Sequence, residues 1–158
     1  MIAQDRKIRA INVYAKEGKN ELDSHADTCV LGYSWTVIEE TGESCIVRPY
    51  SGASGAEATM NVVNAATAYV HPKNGEVYIL YIQQGLYAGD KQNPSLLCPN
   101  QLRYNKIRVE DVPRQFDSNS TYSLFDIDNQ VRIPLKLQGV MSSFETPYPA
   151  EVKLEDCT

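Results

Sequence analysis

Asp23, Ser24, His25, Asp27 and Cys29 are crowded into one run, Glu21-Leu22-Asp23-Ser24-His25-Ala26-Asp27-Thr28-Cys29-Val30-Leu31-Gly32, which also holds one of only two histidines in the chain. Carboxylates placed so close together can move protons to and from a reacting group. The same residues have plainer uses. Asp is common in turns, so Asp23 and Asp27 also fit a loop that does no chemistry. Asp23, His25, Asp27 and Cys29 alternate, and on a straight strand they would share a face and could hold a metal. A turn at this point would destroy that alignment. Ser24 and His25 are neighbours in the chain, a placement that rarely lets nucleophile and base meet. Cys29 leads into the apolar Val30-Leu31 and reads as a small buried side chain rather than a nucleophile. Dense polar groups running straight into apolar sequence that closes on a glycine favour a site over a simple turn.

The elements that must position this run read mainly as strands. Residues 7–14 alternate loosely and are expected to form a strand, followed by a turn at residues 17–20. Residues 35–39 and 44–47 read as two further strands around a turn at 41–43. Residues 51–56, small and Gly-rich, read as a loop tip. Residues 59–70 and 76–81 flank Asn74-Gly75, the strongest hairpin signal in the chain. Residues 85–93 read as a loop. The single expected helix lies within residues 94–104, with Pro99 either breaking it or occupying its first position. Strands are expected at 106–109, 122–127 and 131–137, the last two as a hairpin around Asp128-Asn129, with Pro134 drawing its arm to an edge. Residues 112–121 read as polar loop, and the tail from Thr146 as frayed.

Composition narrows the classes. A chain of 158 residues, 42% apolar and 22% charged, is long enough for one domain with a real core. A net charge of −5 with scattered basic residues argues against direct nucleic-acid binding. No apolar window approaches a membrane span, and the first residues lack the apolar stretch of a secretory signal. The four cysteines are far apart, which excludes an ordinary zinc knuckle and suggests reduced thiols in an intracellular, cytoplasmic setting. No cofactor is implied. Residues 1–110 read as the core, and 111–158 as a β-hairpin extension and tail packed on the same domain.

The order apolar residue, Asp, hydroxyl residue, turn position, Ala, Asp, Thr, apolar strand resembles the active-site loop of retropepsin-like aspartic proteases. The likeness is nearest to the protease region of copia-type retrotransposon polyproteins. Gly85-Leu86-Tyr87, then Pro94-Ser95-Leu96-Leu97-Cys98-Pro99-Asn100-Gln101-Leu102, is similar to the strand, Tyr, loop and helix of the same family. Ile133-Pro134-Leu135-Lys136-Leu137-Gln138-Gly139-Val140 resembles its downstream part. The resemblance implies a mainly β, retropepsin-like closed barrel with one short helix, functional as a homodimer.

It also implies an endopeptidase acting on a Gag-Pol-type polyprotein, inside the cell and within a virus-like particle. Such chemistry needs two facing carboxylates that share a proton, because like charges that near cannot both ionise. This chain supplies one good Asp-Ser loop, so the second would come from a second copy. The other Asp-Ser pair, Asp117-Ser118, lacks the preceding apolar strand and the Ala and reads as a polar turn. Carried over from the family, Asp23 is catalytic and Ser24 ties the two loops across the axis. His25, Ala26 and Asp27 face substrate, Asp27 also being free to pair with Arg103, and Gly52 and Gly55 belong to a flap. His25 stands where the family usually has Gly. That departure motivates a second reading, a catalytically silent dimerisation or peptide-binding module. A metal-binding β domain using Asp23, His25 and Asp27 is a third.

Overall fold

Asn74-Gly75 turns the chain between its two longest buried runs, and Gly75 adopts a φ of +70° that favours glycine. The structure is a computed structural model that describes residues 2–4, 17–48 and 57–147. In chain order the first strands are β1 (Ile2–Gln4), β2 (Glu17–Leu22), β3 (Val30–Gly32) and β4 (Thr36–Val47). The long hairpin follows as β5 (Ala58–Val70) and β6 (Val77–Gly89), then β7 (Ser95–Leu97) and helix α1 (Pro99–Tyr104). The chain continues with β8 (Ile107–Glu110), β9 (Ser123–Asp126), β10 (Val131–Pro134), β11 (Lys136–Gln138) and β12 (Met141–Pro147). The fold is therefore mainly β with one short helix. No helix among the described residues is long and apolar enough to cross a membrane.

Eight strands form one sheet path, β11-β12-β2-β7-β3-β6-β5-β4, with β1 added along β6. The strands β10-β9-β8 make a second, small sheet with β10 at its edge, where Pro134 belongs. The large sheet curls until Tyr69 on β5 meets Phe144 on β12 edge-on, with ring centroids 6.0 Å apart. Among the described residues no ladder joins β11 to β4, so the path is open rather than a closed barrel. One continuous core fills the curl. It gathers Leu22, Leu31, Leu80, Ile82, Leu97 and Phe144 from the large sheet, Trp35 from the turn before β4, Leu102 from α1, and Ile107, Leu124 and Ile133 from the small sheet. Each such buried side chain contributes about 1.5–3 kcal/mol, so the small sheet and helix are held chiefly by apolar contact.

Several elements differ from the sequence expectation. Residues 17–20 are not a turn but the first part of β2. Gly18, Asn20 and Leu22 are buried while Lys19 and Glu21 are half-exposed, an alternation disguised by turn-type residues. The supposed turn at 41–43 is a bulged stretch inside one long β4, where Gly42 takes φ +81° and the register slips between Glu40 and Ser44. Strand β6 runs on through the expected loop to Gly89. Residues 95–97 are a strand, and α1 begins at Pro99 with Cys98 as its N-cap. Residues 136–147 form a separate hairpin, with β12 laid along β2 as far as Pro147 opposite Glu17. Thr146, expected in a fraying tail, is buried. The expected strand at 7–14 and the Gly-rich loop with Gly52 and Gly55 lie outside the described residues.

Candidate active site

The Asp23 run connects β2 to β3, and β7 is inserted between those two strands. β7 lies parallel to β2, with Leu22 opposite Leu97, and antiparallel to β3 at Val30 and Leu96. The stretch Glu21–Gly32 and the stretch Ser95–Gln101 are thereby side by side, although some seventy residues separate them in the chain. The end of β2 is fixed by the Asp23 N–H donating to the Leu97 carbonyl at 3.0 Å. The end of β3 is fixed by Gly32, whose N–H donates to Ser95 Oγ at 2.8 Å. A Cβ at position 32 would lie 2.1 Å from the Gln92 carbonyl oxygen, so only glycine fits there.

Between these anchors the loop organises itself around Asp23. The His25 N–H donates to Asp23 Oδ1 at 2.9 Å, and the Ala26 N–H donates to the Asp23 carbonyl at 3.2 Å. This is the Asx-type turn that Asp favours. Asp23 is half-buried, Ser24, His25 and Asp27 are exposed, and Ala26 packs against the core. His25 is not among the residues with positive φ, so the turn is held without left-handed backbone at this position. An open depression of about 600 Å³ is lined by residues 24–28 together with Gln84, Gln101 and the exposed Tyr104.

The descending limb of the loop is tied to the helix. Gln101 Oε1 accepts from the Cys29 N–H at 2.7 Å and from Thr28 Oγ1 at 3.3 Å. The Cys29 carbonyl accepts from the Leu86 N–H at 2.9 Å. Cys29 itself is fully buried, and its sulfur accepts from the Cys98 N–H at 3.3 Å. Burial pushes its thiol up to about 11, against the lowering effect of the Cys98 N–H. It is a neutral packing group, as its apolar neighbours suggest.

Two sequence ideas meet different geometry. Arg103 does not pair with Asp27. It donates to Asn100 Oδ1 at 3.0 Å and lies 3.9 Å from Asp111, because the helix turns it toward the strand that follows. The alternating Asp23, His25, Asp27 and Cys29 do not share a face either. The turn at residues 24–25 exposes His25 and buries Cys29, and among the described residues no three His, Cys, Asp or Glu side chains gather as a metal site requires. Sequence reasoning missed Gln101 as a structural partner of the loop. The available signal was a Gln at the third helical position, where such a side chain often reaches back to satisfy backbone N–H groups. Comparison with protein-family models, curated proteins and solved structures finds no match for this chain.

Proposed function

We propose that this chain is an aspartic endopeptidase of the retropepsin type that processes a retrotransposon Gag-Pol-type polyprotein inside the cell, within a virus-like particle. The observation that carries the reading is the meeting of the two stretches on which the resemblance rests. The Asp23 loop and the segment from Ser95 to Gln101 interlock through β7, Leu97 and Gln101. Asp23 is half-buried at the start of the loop whose next five residues line an open depression. The mainly β fold, curled so that Tyr69 on β5 meets Phe144 on β12, supports the reading, which further requires a homodimer.

In that dimer the two Asp23 carboxylates face each other and share one proton. The deprotonated one takes a proton from a water, and the hydroxide adds to the peptide carbonyl. The protonated one supplies a proton as the amine leaves. The exposed His25 beside the dyad favours a second reading, a silent module that binds peptide without cutting it. One experiment separates the two: an unfolded polyprotein segment is incubated with the purified chain at mildly acidic pH, and with Asp23→Asn. Cleavage that vanishes in the variant supports the protease. Binding without cleavage by the unaltered chain supports the module, and cleavage that survives Asp23→Asn rules out this dyad.

A further inference from the structure

We infer that Gln101 is a positioning residue for the Asp23 loop, acting as a clamp between helix α1, the end of the loop and β6. This inference rests on the proteolytic reading above. The loop leaves β2 at Asp23 and reaches a regular ladder only at Val30. Cys29 precedes that ladder and is buried, and a buried N–H without an acceptor costs about 1–3 kcal/mol. Gln101 supplies that acceptor at 2.7 Å, and the same oxygen takes the Thr28 hydroxyl at 3.3 Å. The other end of the amide, Nε2, reaches the Gln84 carbonyl at 3.5 Å. Gln84 is a left-handed residue, φ +58°, at the point where β6 departs from regular strand geometry.

The chemistry of the partners fixes which way the amide points. The Cys29 N–H can only donate and the Gln84 carbonyl can only accept, so a flipped amide would set donor against donor and acceptor against acceptor. Gln101 therefore joins the loop to β6 in one orientation. Its own N–H is held by the helix N-cap Cys98 Sγ at 3.5 Å, and the next residue, Leu102, is locked in the core. A clamp built on a rigid helix and gripping two successive residues of the loop fixes how far Asp23 stands from its counterpart in the second copy. A misplacement of about 1 Å at such a point costs on the order of 10²-fold in rate.

The test compares Gln101→Met, Gln101→Glu and Gln101→Asn with the unaltered chain, using the same polyprotein segment and the amide exchange of Cys29. Gln101→Met keeps the length and loses the acceptor. Its kcat is expected to fall on the order of 10²-fold with KM within about 3-fold, and the Cys29 amide to exchange about tenfold faster or more. Gln101→Glu keeps an acceptor oxygen for Cys29 and Thr28 but sets its second oxygen against the Gln84 carbonyl, so it is expected to recover only part of the lost kcat. Gln101→Asn, one methylene short, is expected to recover none. Should Gln101→Met fail to fold, the contrast between Gln101→Glu and Gln101→Asn decides. Equal rates in all three variants, or a Glu variant no better than Asn, overturn the positioning role. An unaltered chain that cuts nothing overturns the proteolytic reading first and the rate effect with it. In that case protection of the Cys29 amide, lost in Gln101→Met and kept in Gln101→Glu, shows separately that the clamp exists.

Discussion

Asn20 accepts a hydrogen bond from the indole of Trp35, Oδ1 to Nε1 at 2.8 Å, and both side chains are buried. The Asn20 amide also donates to Thr146 Oγ1 at 3.1 Å, so one polar side chain links β2, the turn before β4 and β12. Replacing it with Leu leaves a buried indole N–H and a buried hydroxyl without their partner. Asn20→Leu is expected to lower unfolding stability by about 2–4 kcal/mol, read from urea denaturation. A loss under about 1 kcal/mol would mean that the network is not a structural tie.

Tyr69 presents the opposite case. Its hydroxyl is buried and makes no hydrogen bond among the described residues, and burial raises the phenol well above its ordinary range. Removing an unpaired buried hydroxyl forfeits nothing. Tyr69→Phe is expected to leave stability unchanged or raise it by up to about 1 kcal/mol. A thermal melt showing clear destabilisation would reveal a partner for that oxygen.

Glu110 carries a pH dependence. The backbone N–H and the hydroxyl of Thr121 both donate to its carboxylate, at 2.8 and 2.7 Å, and hold it below the usual Glu value. A group depressed in the folded state stabilises above its unfolded value of about 4.3 and loses that contribution as pH falls through the folded one. The gap in melting temperature between the native chain and Glu110→Gln is therefore expected at neutral pH and to close in acid. A gap that stays constant through the acid range would contradict this. The group is exposed, so the effect is small.

The raised thiol of Cys29 predicts a pattern of reactivity. Only the thiolate attacks alkylating reagents, and Cys29 stays neutral until about pH 11. Among the cysteines of the described residues, native protein treated with iodoacetamide near pH 8 and mapped by mass spectrometry is expected to carry the label on the exposed Cys45, with Cys29 and the buried Cys98 protected. Rapid labelling of Cys29 would show that the loop opens far more readily than its anchors imply.

Much of the setting of the candidate site was legible because its signals are local. The Asp-Ser run, the apolar strand after it and the Asn74-Gly75 hairpin each declare themselves within a dozen residues. Pro99 similarly marks the start of α1, which has Pro at its first position. What stayed hidden depends on distant partners. Gly18, Lys19 and Asn20 look like a turn until β12 supplies the backbone ladder and Thr146 and Trp35 satisfy the amide. Strand β12 itself has weak apolar alternation and becomes a strand by pairing with β2. Gly42 looks like a turn residue, yet the pairing of β4 with β5 absorbs it as a bulge. The roles of Gln101 and of Arg103 likewise turn on which way a short helix presents them, something spacing alone does not fix.

A shared dyad is tested by the separation of the two Asp23 carboxylates in a crystal structure of the chain as it assembles in solution. The expected result is a two-fold dimer in which both carboxylates lie within about 2.6–3.2 Å of one shared water, with His25 turned away from it. A monomer, or a dimer in which the two Asp23 side chains lie far apart, would contradict the shared dyad and leave this loop without an aspartic-protease mechanism.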